Sequence, residues 1–184
     1  NLVSGDTVIA VGYELGIGED FYLFAPASTS LTLTSQIAVV SAITGQSARR
    51  KLFVSTAQVT SSVTAPQITM NMVSASGGAS DSRVYLIVYV LKGAASTAFG
   101  AKTSATSSTN NLTTNSITTT GGSSLVFGFA FDGNSNPYLD TTDLYLPGSA
   151  IVGANPYPAN VGTSAWAGCK LAGSSGSTDR KSTR

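Results

Sequence analysis

The hydrophobic residues of this chain occur in short runs, most of which alternate with hydroxyl-bearing residues. The longest apolar run lies at residues 82–93 (SRVYLIVYVLKG). It is too short and too rich in β-branched and aromatic residues for a helix of normal length, so it predicts a β-strand. Since both alternating sets of positions are apolar, we expect this strand to lie in the centre of a sheet, buried on both faces.

Further segments show the two-residue period of a strand and are bounded by Gly, Pro, Asp or Asn. Several of them place large apolar side chains on one face and small or hydroxyl-bearing residues on the other. Together they predict an all-β fold, an antiparallel two-sheet β-sandwich that is close to a jelly roll. The segments are residues 6–14, 30–43 (one or two strands), 52–63, 68–74, 123–132 and 164–171.

The length of 184 residues suits a single sandwich domain, residues 1–184. The alternative is a domain built from two similar halves, residues 1–100 and 101–184. Residues 172–184 are polar and predict a C-terminal tail without strands. The chain begins at Asn1 without a signal-peptide pattern, so we expect an upstream piece that was processed or cut away.

Composition excludes two classes of partner. Charged residues make up 10% of the chain and the formal net charge is +1, so a basic surface for nucleic acid is not expected. No apolar run approaches the roughly 18 residues of a membrane-spanning helix, so membrane insertion is not expected either. About 50 residues are Ser or Thr. Such hydroxyl-rich surfaces are typical of virion and extracellular proteins.

The side chains that most enzymes rely on are scarce. The chain has no His and a single cysteine, Cys169. This excludes a Ser-His or Cys-His nucleophile pair and an internal disulfide. A carboxylate pair for glycosidic cleavage has candidates in Glu14, Glu19, Asp20 and Asp140, but their spacing favours no pair. We therefore expect a protein that is not an enzyme.

One loop imitates a calcium site. Its oxygen-bearing residues occupy positions 1, 3, 5, 9 and 12 of a calcium-binding loop, but Pro137 stands where that loop needs glycine. An Asp-Gly turn followed by a polar loop explains the same residues. We therefore expect no cofactor, with calcium as the alternative. The candidate ligands are Asp132, Asn134, Asn136, Asp140 and Asp143.

Two groups of residues are candidates for contact with a glycan or a protein partner. Tyr138, Tyr145 and Tyr157 lie in a proline-rich region and predict an exposed aromatic surface that could stack on sugar rings. Arg49, Arg50 and Lys51 form a basic cluster that could hold a phosphate or an acidic glycan. The competing interpretation of the cluster is a solvated turn or a strand edge guarded by charge.

The order of these segments resembles β-sandwich domains of bacteriophage virion proteins and bacterial surface proteins. The resemblance covers most of the chain, and it consists of strand and turn patterns rather than chemical signatures. It implies a location in a virion or on an extracellular surface. The pattern also has a closing strand that this chain lacks after Arg184, so that strand lies further on or is donated by another subunit. The segments that carry the resemblance are RRKLFVSTA, TAPQITMNM, VYLIVYVLKGA, SSLVFGFAFDG and SAWAGCKLAGSSGST.

These observations predict a non-enzymatic virion structural protein that decorates a capsid or a tail. Its partners would be copies of itself or other virion proteins, because short polar side chains lose little entropy at an interface. The alternative is a carbohydrate-binding or adhesive module that recognises host surface glycans.

Overall fold

A computed structural model describes residues 1–15, 21–23, 25–42, 49–74, 83–94, 99–106, 111–113, 117–119, 124–132, 164–171, 176–178 and 181–183. These ranges are rich in strands and contain no helix, which confirms the all-β prediction for the part of the chain described. The strands are β1 (Thr7–Leu15), β2 (Phe21–Leu23), β3 (Thr34–Ala42), β4 (Arg49–Gln58), β5 (Met72–Ser74), β6 (Arg83–Leu91), β7 (Asn111–Thr113), β8 (Ile117–Thr119), β9 (Leu125–Asp132), β10 (Ser164–Leu171), β11 (Gly176–Thr178) and β12 (Lys181–Thr183).

The chain divides into two compact units, Asn1–Phe99 and Gly100–Arg184. The first unit contains an antiparallel four-stranded sheet with the order β3-β4-β1-β6 and a separate antiparallel pair, β2 with β5. The division falls beside the boundary between the two halves considered from the sequence. That the whole chain is one sandwich domain stays a prediction.

In the described residues of the second unit, the strands form three antiparallel pairs. β9 and β10 pair along their full length, with Leu125 opposite Leu171 and Asp132 opposite Ser164. The other two pairs, β8 with β11 and β7 with β12, are three residues long. Because β11 and β12 lie within residues 172–184, the prediction that this tail lacks strands is wrong.

The sequence predicts that residues 82–93 lie at the centre of the sheet, but β1 occupies an inner position instead. It pairs over nine residues with β4 on one side and with β6 on the other. Residues of both its faces are buried, since Val8 and Ala10 are at most 1% exposed on one face, as are Thr7 and Val11 on the other. β6, in contrast, lies at the edge of this sheet among the strands that the structure describes. The prediction that it is central and buried on both faces is therefore wrong.

A loop layer, made of residues 1–5, 25–33 and 59–71, covers one face of β1. The layer is held at two isolated bridges, Leu2 with Val63 and Ala27 with Thr69. It closes over a small core, which consists of the buried residues Leu2, Val8, Ala57 and Val59 with Leu31, Leu33, Val63 and Ile68 packed against them. Residues 68–74 were expected to form one strand, but within them only Met72–Ser74 is a strand, and residues 68–71 belong to the loop layer.

The contact between Met70 and Gly12 fixes this layer on the sheet. The thioether of Met70 lies where a Cβ on Gly12 would be, and Pro26 Cγ lies 3.4 Å from the same point. Glycine is therefore needed at position 12 because the loop layer approaches the backbone of β1 closely.

We expect Gly12→Ala to destabilise the protein by about 1–3 kcal/mol, because the new methyl group overpacks the site and displaces Met70. Met70→Ala should lower the free energy of unfolding less in the Gly12→Ala background than in the native protein. The reason is that the new methyl group at position 12 has already displaced the Met70 side chain from its packing site. Urea unfolding of the two single variants and the double variant measures both effects. Additive losses would show that Met70 does not pack on Gly12.

Candidate functional site

Most of the residues predicted to bind a ligand lie outside the described part of the chain. This holds for Tyr138, Tyr145 and Tyr157, and of the calcium candidates only Asp132 is placed, as the last residue of β9. Among the described residues, no group of three or more Cys, Asp or Glu could hold a metal ion. The tyrosine surface and the calcium loop stay predictions. The remaining calcium candidates outside the described part are Asn134, Asn136, Asp140 and Asp143.

The basic cluster lies at the start of β4, an inner strand of the four-stranded sheet. Arg49 and Arg50 pair with β3 at Ala42 and Ser41. Lys51 is 8% exposed, so at this position the alternative of a solvated turn or a charged strand edge does not apply. Binding of an anion by this cluster stays a prediction.

The described surface offers a different candidate site on β6. Leu86, Val88 and Val90 are 37%, 43% and 41% exposed, and they lie at alternate positions, so they form a row on one face of the strand. We call these three residues the apolar row. Such a row on an edge strand combines exposed apolar area with a strand that can pair further, which is typical of a surface that binds another chain.

The apolar row lies on the face of the sheet that the loop layer covers over β1. Val90 pairs with the buried Val8, so the two residues share this face. At the margin of the layer an apolar groove of about 220 Å³ opens, lined by Leu2, Val8, Pro66, Ile68, Val88 and Val90. Residues 7–13 of β1 are therefore buried, whereas the apolar row of β6 stays exposed.

An ion pair fixes the end of β6 next to this groove. The carboxylate of Asp6 is 2% exposed and accepts a hydrogen bond from Lys92 Nζ at 2.5 Å and another from the backbone N–H of Val3 at 2.9 Å. The hydrogen bond from Lys92 is the main cause that lowers the pKa of Asp6 below its ordinary value of 3.8, and the bond from Val3 adds to it. The pair therefore links the turn before β1 to the residue after β6.

Sequence patterns did not reveal this edge site. The run VYLIVYVL is apolar at every position, so it predicts a buried strand and gives no indication of which face stays open. One feature of the sequence does indicate an edge that is open to pairing: no charged residue lies between Arg83 and Lys92. Charged residues are a common guard of edge strands, and β6 has none within this run.

Comparisons of the chain with protein-family models, with curated proteins and with solved structures find no match. The resemblance to virion and surface-protein sandwiches therefore stays a prediction. Within the described residues, no helix is long and apolar enough to cross a membrane.

We expect Lys92→Met to lower the melting temperature at neutral pH, because it removes the main partner of a buried carboxylate. A carboxyl group with a lowered pKa stabilises the fold above its ordinary value and loses this contribution as the pH falls through its value in the folded protein. The difference between native protein and variant should therefore shrink below about pH 4.

Thermal unfolding from pH 7 to pH 2, followed by circular dichroism, measures this difference. Asp6→Asn serves as the control background, in which Lys92→Met should have little effect at any pH. A loss from Lys92→Met that is the same at every pH would contradict the ion pair as the source of the stability.

Proposed function

We propose that this protein is a non-enzymatic structural protein of a virion, decorating a capsid or a tail, and that it acts by packing against copies of itself or a neighbouring shell protein. The observation that carries the proposal is the apolar row on the edge strand β6. Monomeric proteins usually block such an edge with charged residues, proline or a bulge, because an open edge strand pairs with other chains. In a protein that assembles, the same open edge provides a binding surface.

The composition supports the same proposal. With 10% charged residues, the chain has few side chains that would oppose close packing of copies, and its Ser and Thr residues keep it soluble before assembly. The attribution to a virion rests on the strand and turn patterns that resemble virion sandwiches.

For the fold, we propose that the strands form a two-sheet β-sandwich that is close to a jelly roll. Support comes from the second face of β1, where Ile9, Val11 and Tyr13 are between 1% and 4% exposed. The loop layer covers the opposite face, so burial of this face calls for another layer, and a second sheet is the usual one in an all-β protein.

A single sandwich of 184 residues should unfold in one cooperative step. We expect scanning calorimetry of the full chain to give one transition whose calorimetric and van't Hoff enthalpies agree. Two separate transitions would show that the halves are independent domains.

The structural role predicts that the protein purifies with assembled particles in a fixed stoichiometry. Quantitative mass spectrometry of intact particles measures this ratio, and the soluble fraction of the same preparation is the control. Binding of the isolated protein to a glycan array, lost on changing Tyr138, Tyr145 or Tyr157 to Ala, would favour the carbohydrate-binding alternative instead. Cleavage of a polysaccharide by the pure protein would contradict a non-enzymatic role.

A further inference from the structure

The two edges of the four-stranded sheet differ in their ability to accept another strand. At the β3 edge, the register with β4 shifts between Ser35 and Ile37. Such an irregularity bends the strand and interrupts the row of backbone groups that a new partner would use. At the other edge, β6 runs in unbroken register with β1 over nine residues. β6 is therefore the edge suited to regular pairing.

β6 is also complementary to itself. If two copies of β6 pair antiparallel around Ile87, Val84 lies opposite Val90 of the second copy, and Leu86 lies opposite Val88. Every position on the face of the apolar row then meets an apolar residue, and directly opposite apolar side chains stabilise an antiparallel pair. Moving the register by two residues would place Val84 opposite Lys92 or Val90 opposite Ser82, so the symmetric register is the best matched.

The charges at the ends of β6 are compatible with this arrangement. The two cations of the region, Arg83 and Lys92, lie outside the apolar row at opposite ends of it. In the symmetric register Arg83 faces Leu91 of the second copy, next to Lys92. Asp6 pairs with Lys92, so its carboxylate neutralises one of the two cations where the two strand ends meet.

The area of such a contact limits how stable a dimer it can form. A nine-residue strand is about 30 Å long, and pairing along it buries on the order of a few hundred Å² per copy. A stable two-chain interface buries about 800 Å² per partner. One β6 contact is therefore too small for a permanent dimer, and it suits an assembly in which many copies are held close together.

We propose that β6 is a self-association site, at which two copies pair antiparallel around Ile87 and join their four-stranded sheets into one. The inference rests on the proposed packing role and names the partner as a second copy of this chain. The two-fold arrangement uses the same surface on both copies, so it closes after two chains.

The test is sedimentation equilibrium of the full chain over a wide range of concentration. We expect a monomer–dimer equilibrium that Val88→Lys weakens by about tenfold or more, because a charge on an edge strand opposes pairing. Val40→Lys is the matched control, since Val40 is 58% exposed on β3, the other edge of the same sheet. This variant should dimerise like the native protein.

A cross-link distinguishes loss of pairing from loss of folding. Opposite residues of an antiparallel pair have Cβ atoms about 4.5–5.5 Å apart, near the reach of a disulfide. In a Cys169→Ser background, Ile87→Cys should therefore form a covalent dimer on oxidation at high concentration, whereas Val40→Cys should stay monomeric. A native protein that is monomeric at every concentration, or an Ile87→Cys variant that does not cross-link, would overturn the inference.

The outcomes also separate this inference from the proposed function. A native protein that stays monomeric, yet joins particles in fixed stoichiometry and loses this incorporation with Val88→Lys, would show that β6 binds a different shell protein. The packing role would then stand and self-association would fail. Dimerisation without any incorporation into particles would support the β6 contact and contradict the virion role.

Discussion

The first unit of the structure depends on the burial of β1 between two strands and beneath the loop layer. β1 forms nine-residue antiparallel ladders with both β4 and β6, so its backbone is paired along its whole length. Its polar residue Thr7 is fully buried and is satisfied by a hydrogen bond from its hydroxyl to Gln58 of β4. This pairing allows the strand to be buried, because backbone N–H and C=O groups that are buried without a partner destabilise the fold.

The position of the loop layer follows from the side chains of β1. Glycine at position 12 lets Met70 lie against the strand, and Val8 lies under Leu2 in the small core. Both contacts draw the layer toward β1 rather than toward the edge. β6 then keeps apolar residues that nothing in the described part of the chain covers, although its end is fixed by Lys92 and Asp6.

Much of the secondary structure could be predicted from the sequence, because strand signals are local. Residues 164–171 form β10 as expected, and residues 123–132 include β9. Which strand lies at the centre could not be predicted, since TVIAVGYEL and RVYLIVYVL are both apolar enough and the answer depends on their partners in the sheet. Residues 68–71 belong to the loop layer although their alternation predicts a strand, because alternation looks the same when a loop packs on a sheet.

The candidate site was missed for a related reason. A run that is apolar at every position predicts burial, but burial can come from a layer of the same chain or from a second molecule, and periodicity does not distinguish the two. The distinction comes from the shape of the sheet, in which one edge is irregular at Ser35 and Ile37 and the other is regular. The chain has few charged residues that could prevent pairing at a sheet edge. At the β3 edge, the irregular register opposes pairing with another strand instead. The regular edge is left able to pair, which is the property that the proposed packing role requires.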